Sequence, residues 1–533
     1  MTAATPSYGS LCLVLHAHLP YVRHPEHESF FEEMWLFEAV TECYLPLIQM
    51  LERLEADRLP VRLTLSLSPT LITMLRDPVL QGRYRAHLDK MCLLAEREME
   101  RTAADPRYHP LAMLYRDRLL QARETYETRY AHDLLAAFGG FQERGSLEII
   151  TSAATHGYLP LLRTEVQSVR AQLQVGQQVY QSTFGHPSPG VWLPECAYYE
   201  GLEKQVEDAG FGYFFLDSHG IERGRPHPVR GVAAPVACPN GIAAFGRDPE
   251  SSRQVWSRDE GYPGDIWYRD FYRDIGFDLD FDEIRPFLLD SKTRIHTGFK
   301  YHRITGPGDQ KEPYDPNIAQ ERVATHAEHF VTERRNQVVR LGPSDGPKPI
   351  MVAPYDAELF GHWWFEGPQW LESVLRLAAQ GDGPVTLATP GDYLADNSQL
   401  QKAMPSASSW GDKGHNEFWL NPGNDWIYPH LHGAAQAMRD LVHRHGGADV
   451  GSPEYRALQQ AARSLLLAQA SDWAFIMKAG TSVDYALNRT RDHLARFQYL
   501  EKALDDGDID ERRLQALEFM DNIFPDIDPG LFA

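Results

Sequence analysis

The sequence predicts an α/β fold in which a barrel of parallel strands is followed by a separate helical domain. Short β-rich runs alternate with long amphipathic stretches, most of these runs end in polar residues, and strand candidates disappear after about residue 404. Such alternation is typical of parallel strands joined by helical crossovers. The length of 533 residues accommodates one large barrel with appended segments.

Seven segments are predicted to be strands because they are short, apolar and rich in β-branched or aromatic residues. These segments are Leu11–Leu15, Val61–Leu67, Leu147–Ser152, Gly190–Pro194, Tyr213–Leu216, Pro349–Ala353 and Val385–Ala388. Each is bounded by helical or loop-forming sequence, as expected for crossover connections.

Polar residues capable of catalysis follow most of these strands at their carboxyl ends. They are His16 and His18, Ser68, His156, Glu195, Asp217 with His219, and Asp356 with Glu358. Because β/α barrels build their active sites where strands end, we expect these side chains to share one pocket. An open doubly wound sheet would place its crevice in the same position, but no G-x-G-x-x-G motif follows the first strand.

Two regions are predicted to be helical throughout. The stretch from about Tyr84 to Phe138 is charged and helix-favouring, which indicates a helical insertion in the barrel. From about Met404 onward, long helical patterns continue to the end and indicate a helical domain. The Gly/Pro-rich stretches 223–264 and 303–316 are interpreted as long loops.

Composition excludes several classes of partner. Lys and Arg total 52 against 74 Asp and Glu, and the net charge of −22 would repel nucleic acid and anionic membranes. The five cysteines are scattered without a C-x-x-C pair, so neither a disulfide framework nor a thiolate zinc site is indicated. We expect a cytoplasmic protein, because the first residues carry no export signal and no apolar run could anchor the chain.

Two strand ends carry carboxylates beside aromatic residues. Glu195 ends the segment VWLPE, and Asp356 lies in APYDAELFGHWW. Either acid could simply cap a helix or form an ion pair. Two carboxylates on two strands of one barrel, flanked by tryptophans, fit glycoside hydrolysis better, since one can attack the anomeric carbon while the other protonates the leaving oxygen.

The pair His16 and His18 at the end of the first strand leaves several interpretations open. In barrel metal hydrolases an H-x-H motif at this place binds zinc, and His156, His219 and Asp356 could complete such a site. In a carbohydrate enzyme the same imidazoles would hydrogen-bond sugar hydroxyls, and a purely structural role is also possible. The sequence therefore leaves a metal-dependent amidohydrolase or deacetylase as an alternative, alongside a non-catalytic glucan-binding protein.

The segments HAHLP, WLPE and APYDAELFGHWW resemble the signature regions of glycoside hydrolase family 57. Within that family, HAHLPYV, YDAELFGHWW and SDWAF look most like the 1,4-α-glucan branching enzyme group. The resemblance implies a distorted (β/α)7 barrel over residues 1–402, with a helical insertion at about 80–140, and a helical domain over 403–533 that closes the cleft. It also implies a retaining mechanism without metal or cofactor. The expected substrate is an α-1,4-glucan such as amylose, glycogen or maltooligosaccharide; oligomeric state is left open.

By the same resemblance, Glu195 matches the nucleophile and Asp356 the general acid/base. The residues expected to bind substrate are His16, His18, Trp35, His156, Trp267, Arg269, Gly298, Trp410, Trp419 and Asp472. A mainly hydrolytic α-amylase-like enzyme and a 4-α-glucanotransferase are close alternatives, because all three activities use this carboxylate chemistry.

One segment departs from the branching group. Where those enzymes are expected to carry an aromatic near the tip of the loop after the fifth strand, this chain has Ala233 and Ala234. A non-aromatic tip would admit water to the glycosyl intermediate and raise hydrolysis relative to transfer. The ratio of branching to hydrolysis is therefore left open by the sequence.

Overall fold

The computed structural model describes residues 9–257, 260–289, 292–306, 308, 310–342, 346–380 and 383–533. Within them, one curled sheet occupies the centre of the molecule, in the order β10-β6-β7-β5-β4-β3-β2-β1-β8, with β9 also paired to β1. The strands are β1 (Gly9–Ala17), β2 (Leu63–Leu67), β3 (Leu147–Ser152), β4 (Gly190–Trp192), β5 (Tyr213–Leu216), β6 (Val236–Ala237), β7 (Ala243–Gly246), β8 (Ile350–Asp356), β9 (Val385–Leu387) and β10 (Gln401–Lys402).

The sheet closes into a barrel of seven parallel strands, namely β1, β2, β3, β4, β5, β7 and β8. Its two outer strands, β7 and β8, meet through a single parallel bridge between Arg247 and Val352. The Asp248 amide donates to the Val352 carbonyl at 2.8 Å at the same place. The barrel is distorted because its two outer strands meet over such a short length. The predicted fold class is confirmed.

All seven predicted strands are present, but the interpretation of 223–264 as a long loop was wrong. That stretch contains β6, the barrel strand β7 and the helix Pro249–Trp256. The β7 sequence AAFG has only one residue with strong strand preference, so its pattern is too weak to predict a strand. The short edge strand β10 was also missed.

Apolar side chains fill the barrel interior. One buried cluster combines residues of β1, β3, β4, β5, β7 and β8, and it contains Cys12, Val14, Ile150, Trp192, Phe215, Phe245 and Val352. Strands buried on both faces read as continuous apolar runs, which explains why most of them were recognisable. The interior is therefore a packed core, and polar chemistry is confined to the strand ends.

Helices surround this barrel. In the barrel region, the α-helices are Glu33–Ala39, Leu45–Ala56, Pro69–Arg76, Pro78–Thr102, His109–Arg123, Leu134–Glu143, Leu159–Leu162, Val166–Phe184, Leu202–Asp208, Ser218–Glu222, Pro249–Trp256, Ile275–Asp278, Phe281–Ile284, Pro316–Leu341, Gly367–Ala379 and Pro390–Asp396. Between β2 and β3 the chain is helical, as the predicted insertion requires. No helix among the described residues is both long and apolar enough to cross a bilayer.

The carboxyl-terminal part is built from five α-helices, Ile427–His445, Pro453–Ala468, Ser471–Ala479, Val483–Asp506 and Glu511–Met520. It is joined to the top of the barrel by backbone pairing, since Gly157 bridges Ala470 and Tyr198 bridges Ser408. The Ser471 amide also donates to the His156 carbonyl at 3.2 Å. These bonds place the start of helix Ser471–Ala479 directly over the strand ends.

Candidate active site

Sheet register brings the polar strand ends together. His16 of β1 lies opposite Asp356 of β8 on one side and opposite Ser66 of β2 on the other. The neighbouring strands β3 and β4 are paired at Ser152 and Trp192, just before the segments that carry His156 and Glu195. The predicted convergence of these residues at one end of the barrel is therefore present in the structure.

Glu195 lies in a tight turn directly after β4. It has left-handed backbone angles, φ 61° and ψ 24°, in the 3-10 turn Pro194–Cys196. A left-handed conformation at a residue other than glycine is uncommon and costs roughly 1–3 kcal/mol, so the surroundings must hold it in place. Trp410 supplies two restraints: its indole Nε1 donates to Glu195 Oε2 at 2.7 Å, and its amide donates to the Glu195 carbonyl at 3.0 Å.

The two carboxyls have raised pKa values. The pKa of Glu195 is raised to about 8, mainly by burial and to a smaller extent by the nearby charges of Asp356 and Asp472, while the Trp410 hydrogen bond opposes the shift. Burial raises the pKa of Asp356 to about 6, against the lowering effects of Arg247 and His18. The pair therefore holds one proton between pH 6 and 8, and in the empty site that proton lies mainly on Glu195 and leaves Asp356 ionised.

Three histidines form a stack beside these acids. His16 Nε2 and His156 Nε2 are 3.0 Å apart in a hydrogen bond, and the His18 and His156 rings stack at 3.9 Å. Burial lowers the pKa of both His16 and His156 well below its usual value, so both rings are neutral at pH 7. Serines orient two of the rings, since Ser66 bonds His16 at 3.1 Å and Ser68 bonds His18 at 2.9 Å.

The helical domain contributes one wall of this pocket. At the start of helix Ser471–Ala479, Asp472 accepts a hydrogen bond from His18 Nε2 at 3.1 Å, and Ser471 Oγ bonds His156 Nδ1 at 3.0 Å. Trp410 packs edge-on against Trp192 at 4.9 Å. The site is therefore shared between the barrel and the helical domain.

The histidine cluster is poorly arranged for a metal ion. His18, His156 and Asp472 each offer a ligand atom within 4.8 Å of the others. However, the His18 and His156 rings are stacked at an interplanar angle of 15°, so their in-plane lone pairs run side by side and do not converge on one point. His219, proposed as a further ligand, bonds Asp217 at 3.0 Å and the Gly414 carbonyl at 3.2 Å. The donor set fits hydrogen bonding better than tetrahedral zinc.

Arg247 is a site residue that the sequence did not reveal. It follows β7, lies 5.3 Å over the Trp410 ring and pairs with Asp217 at 3.3 Å. Its positive charge lowers the pKa of Asp356, which favours the carboxylate form. Because β7 was not predicted, nothing in the sequence marked Arg247 as a residue at a strand end.

Two tryptophans expected to bind substrate have other surroundings. Trp419 is only 1% exposed and stacks on Tyr158 at 4.4 Å, so its face is already covered. That Trp419 contacts glucan stays a prediction, and in this structure Tyr158 occupies the place beside its ring. Trp267 lies beneath the Arg303 guanidinium at 4.6 Å.

Three further residues, Trp35, Arg269 and Gly298, were predicted to bind substrate. Trp35 is half-buried and meets Tyr485 edge-on at 5.9 Å. Arg269 and Gly298 line a separate cavity of about 220 Å³ beside the helical insertion, and neither catalytic carboxyl is among the described residues that line it. The structure thus brings together His16, His18, His156, Glu195, Asp356, Trp410 and Asp472.

The expected loop tip at Ala233 and Ala234 forms a packed turn in the structure. Both residues are buried, at 7% and 6% exposure, and Ala233 ends the 3-10 turn Gly231–Ala233. The neighbouring Arg230 bonds the Leu341 carbonyl at 3.3 Å, at the end of the helix that precedes β8. These alanines are packed in the structure, and the expectation that a non-aromatic tip raises hydrolysis stays a prediction.

Two family descriptions match this chain. Residues 12–402 match glycosyl hydrolase family 57, and residues 430–532 match the carboxyl-terminal domain of 1,4-alpha-glucan branching enzymes. Among curated relatives, the 1,4-alpha-glucan branching enzyme of Thermococcus kodakarensis is 33% identical over 98% of this chain and 78% of its own length.

Solved structures show the same relationship. The alpha-amylase AmyC from Thermotoga maritima is 42% identical, with a TM-score of 0.92 and 99% of each chain covered. A family 57 branching enzyme from Pyrococcus horikoshii is 34% identical, with a TM-score of 0.87 over 98% of this chain and 97% of its own. The carboxylate pair, the seven-stranded barrel and these matches lead to one conclusion: the chain belongs to glycosyl hydrolase family 57.

Proposed function

We propose that this protein is a 1,4-α-glucan branching enzyme that works by a retaining mechanism. The observation that carries the proposal is the site built from both parts of the chain. Barrel carboxyls Glu195 and Asp356 lie beside Asp472 and Trp410, which come from the segment beyond residue 402. Two relatives that span both parts are named branching enzymes, and AmyC, which also spans both, is named an alpha-amylase.

The reacting form of the pair carries its proton on Asp356, so the proton that lies mainly on Glu195 in the empty site must move to Asp356 when glucan binds. In the first step, the Glu195 carboxylate then attacks the anomeric carbon of an α-1,4-linked glucose. The bond from C1 to the leaving O4 breaks, a bond from C1 to Glu195 forms, and the Asp356 proton moves to O4. Retaining enzymes need the two carboxyls about 5–5.5 Å apart for this reaction. Trp410 assists because its indole N–H stabilises the charged form of Glu195.

In the second step, the 6-hydroxyl of another glucan attacks C1. Asp356, now a carboxylate, takes the hydroxyl proton, the bond to Glu195 breaks, and an α-1,6 linkage forms. The proton that Asp356 gave up in the first step is thus restored. Water in place of the 6-hydroxyl would give hydrolysis, so the product depends on which acceptor reaches C1.

The neutral histidines serve to bind and orient the sugar. His16 and His156 are both uncharged and fixed by serine hydroxyls, so they offer N–H donors and lone pairs in defined directions. Arg247 adds positive charge near Asp356 and favours its ionised form after the first step. No step of this mechanism requires a metal or a cofactor.

A hydrolytic α-amylase is the second candidate. It is favoured by the 42% identity to AmyC, which is named an alpha-amylase and covers 99% of both chains. The catalytic carboxyls would act in the same way, and only the acceptor would differ.

Enzymatic debranching separates these candidates. Purified protein is incubated with linear amylose, and the product is treated with isoamylase, which cuts only α-1,6 links. Branching predicts that isoamylase releases short linear chains from a product that was still large. If the product is already short before isoamylase and does not change on treatment, the branching proposal is wrong and hydrolysis is supported.

We also propose that the protein works in the cytoplasm. All five cysteines are free and buried in the structure, as is typical of proteins kept in a reducing compartment. Fractionation of the source cells with an antibody against the protein would test this, and recovery outside the cytoplasm would contradict it.

A further inference from the structure

Beyond the pocket, the helical domain presents an aromatic pair to solvent. Phe475 is 42% exposed although it belongs to the SDWAF segment, whose Ser471 and Asp472 bond the pocket histidines. Its ring stacks on Phe418 at 5.4 Å with an interplanar angle of 21°. Trp473 of the same segment is buried, so packing accounts for Trp473 but not for Phe475.

This pair is held in place by a buried amide. Asn424 is fully buried, and its side-chain nitrogen donates to the Phe418 carbonyl at 2.9 Å and to the Ala474 carbonyl at 3.0 Å. One side chain therefore joins the two backbone segments next to the two rings. Satisfied buried hydrogen bonds of this kind fix geometry, so the pair is a rigid surface.

Both phenylalanines are also connected to residues of the catalytic pocket. Phe418 precedes Trp419, which stacks on Tyr158, two residues after His156. Phe475 follows Asp472 by three residues, so the two side chains share one face of the helix, with about 4.5 Å of rise between them. Phe475 therefore lies one helical turn further along the helix that carries the pocket residue Asp472.

We propose that Phe418 and Phe475 form a stacking platform that binds a glucose ring of the α-glucan outside the catalytic pocket. Phe418 covers one face of the Phe475 ring, but Phe475 is still 42% exposed, whereas Trp419 is 1% exposed. The exposed side of the Phe475 ring suits the apolar C–H face of a sugar ring. The inference rests on the proposed function only in taking an α-glucan as the ligand, and it holds for a branching enzyme or an amylase.

The test measures binding without turnover. In the full-length Glu195→Gln variant, isothermal titration gives dissociation constants for amylose and for maltotriose. Adding Phe475→Ala is expected to weaken amylose binding about threefold to tenfold, the range expected for one stacking contact, and to lower the ratio of amylose to maltotriose affinity. Phe475→Tyr keeps the flat ring and is expected to stay within about twofold of the parent.

Phe519→Ala is the matched control, because Phe519 is 56% exposed on another helix of the same domain. Equal amylose affinity with and without the Phe475 ring would overturn the platform, and so would an equal loss in the Phe519 variant. If the Glu195→Gln parent binds neither glucan, the proposed function itself fails. That outcome is distinct from a parent that binds amylose regardless of Phe475.

Discussion

At the scale of single residues, the chemistry assigned to Glu195 depends on its surroundings. The strained turn aims its carboxyl at the pocket, the Trp410 indole binds one oxygen, and burial beside Asp356 raises its pKa. Sequence patterns located both acids because each ends a recognisable strand. They could not reveal Arg247, whose strand is too short and too rich in alanine and glycine to predict.

The Glu195→Gln variant tests the nucleophile assignment. The amide has nearly the shape of the carboxyl but cannot attack the anomeric carbon, so we expect turnover on amylose to fall by at least about 10³-fold. Glucan binding should be largely retained. Activity is measured as new linkages or reducing ends, and a variant with more than a tenth of wild-type turnover would remove Glu195 from the mechanism.

The pH profile tests the shared proton. The singly protonated pair is the active form, so kcat/KM should be bell-shaped with limbs near pH 6 and 8. Trp410→Phe removes a donor that stabilises charged Glu195, so the pKa of Glu195 rises and the alkaline limb moves to higher pH. Initial rates of this variant and of the wild type, measured across pH 5–10, locate the acidic and alkaline limbs of each profile. An alkaline limb that stays at the same pH or moves to lower pH in the variant would contradict this account.

At the scale of elements, the barrel depends on close contacts that only the three-dimensional structure reveals. The seven predicted strands were recognised from their apolar sequences. The barrel, however, closes through the bridge between Arg247 and Val352, and Arg247 directly follows β7, which was not predicted. Sequence patterns also did not predict how closely the loop after β8 approaches the helical segment before Leu45. There, Gly361 has φ +112° and would place a Cβ 1.8 Å from the Glu42 carbonyl oxygen.

Gly361→Ala tests whether that approach is required. The new methyl group meets backbone and the φ value is unfavourable for alanine, so we expect destabilisation of roughly 2–5 kcal/mol. Gly433→Ala is the control, because Gly433 lies within helix Ile427–His445 and a Cβ there meets nothing within 4 Å. Urea unfolding should show a lower midpoint for the first variant and an equal or higher midpoint for the second; equal midpoints for both would refute the argument.

At the scale of the whole molecule, the active site exists only when the barrel and the carboxyl-terminal helices are assembled. His18 is bonded to Asp472 and His156 to Ser471, so two of the pocket's histidines are oriented by the distant end of the chain. The sequence predicted a helical domain and, through family resemblance, its part in the cleft. It could not show that Trp419 is covered by Tyr158, because burial depends on packing between segments 261 residues apart.

The central claim is that this assembly transfers glucan chains to 6-hydroxyl groups. Proton NMR of amylose incubated with the purified protein measures it most directly, because anomeric signals of α-1,6 links and of reducing ends are resolved in one spectrum. Glu195→Gln serves as the control and should leave the spectrum unchanged. Many new α-1,6 signals with few new reducing ends are the predicted result, whereas reducing ends that accumulate without α-1,6 signals would contradict the claim.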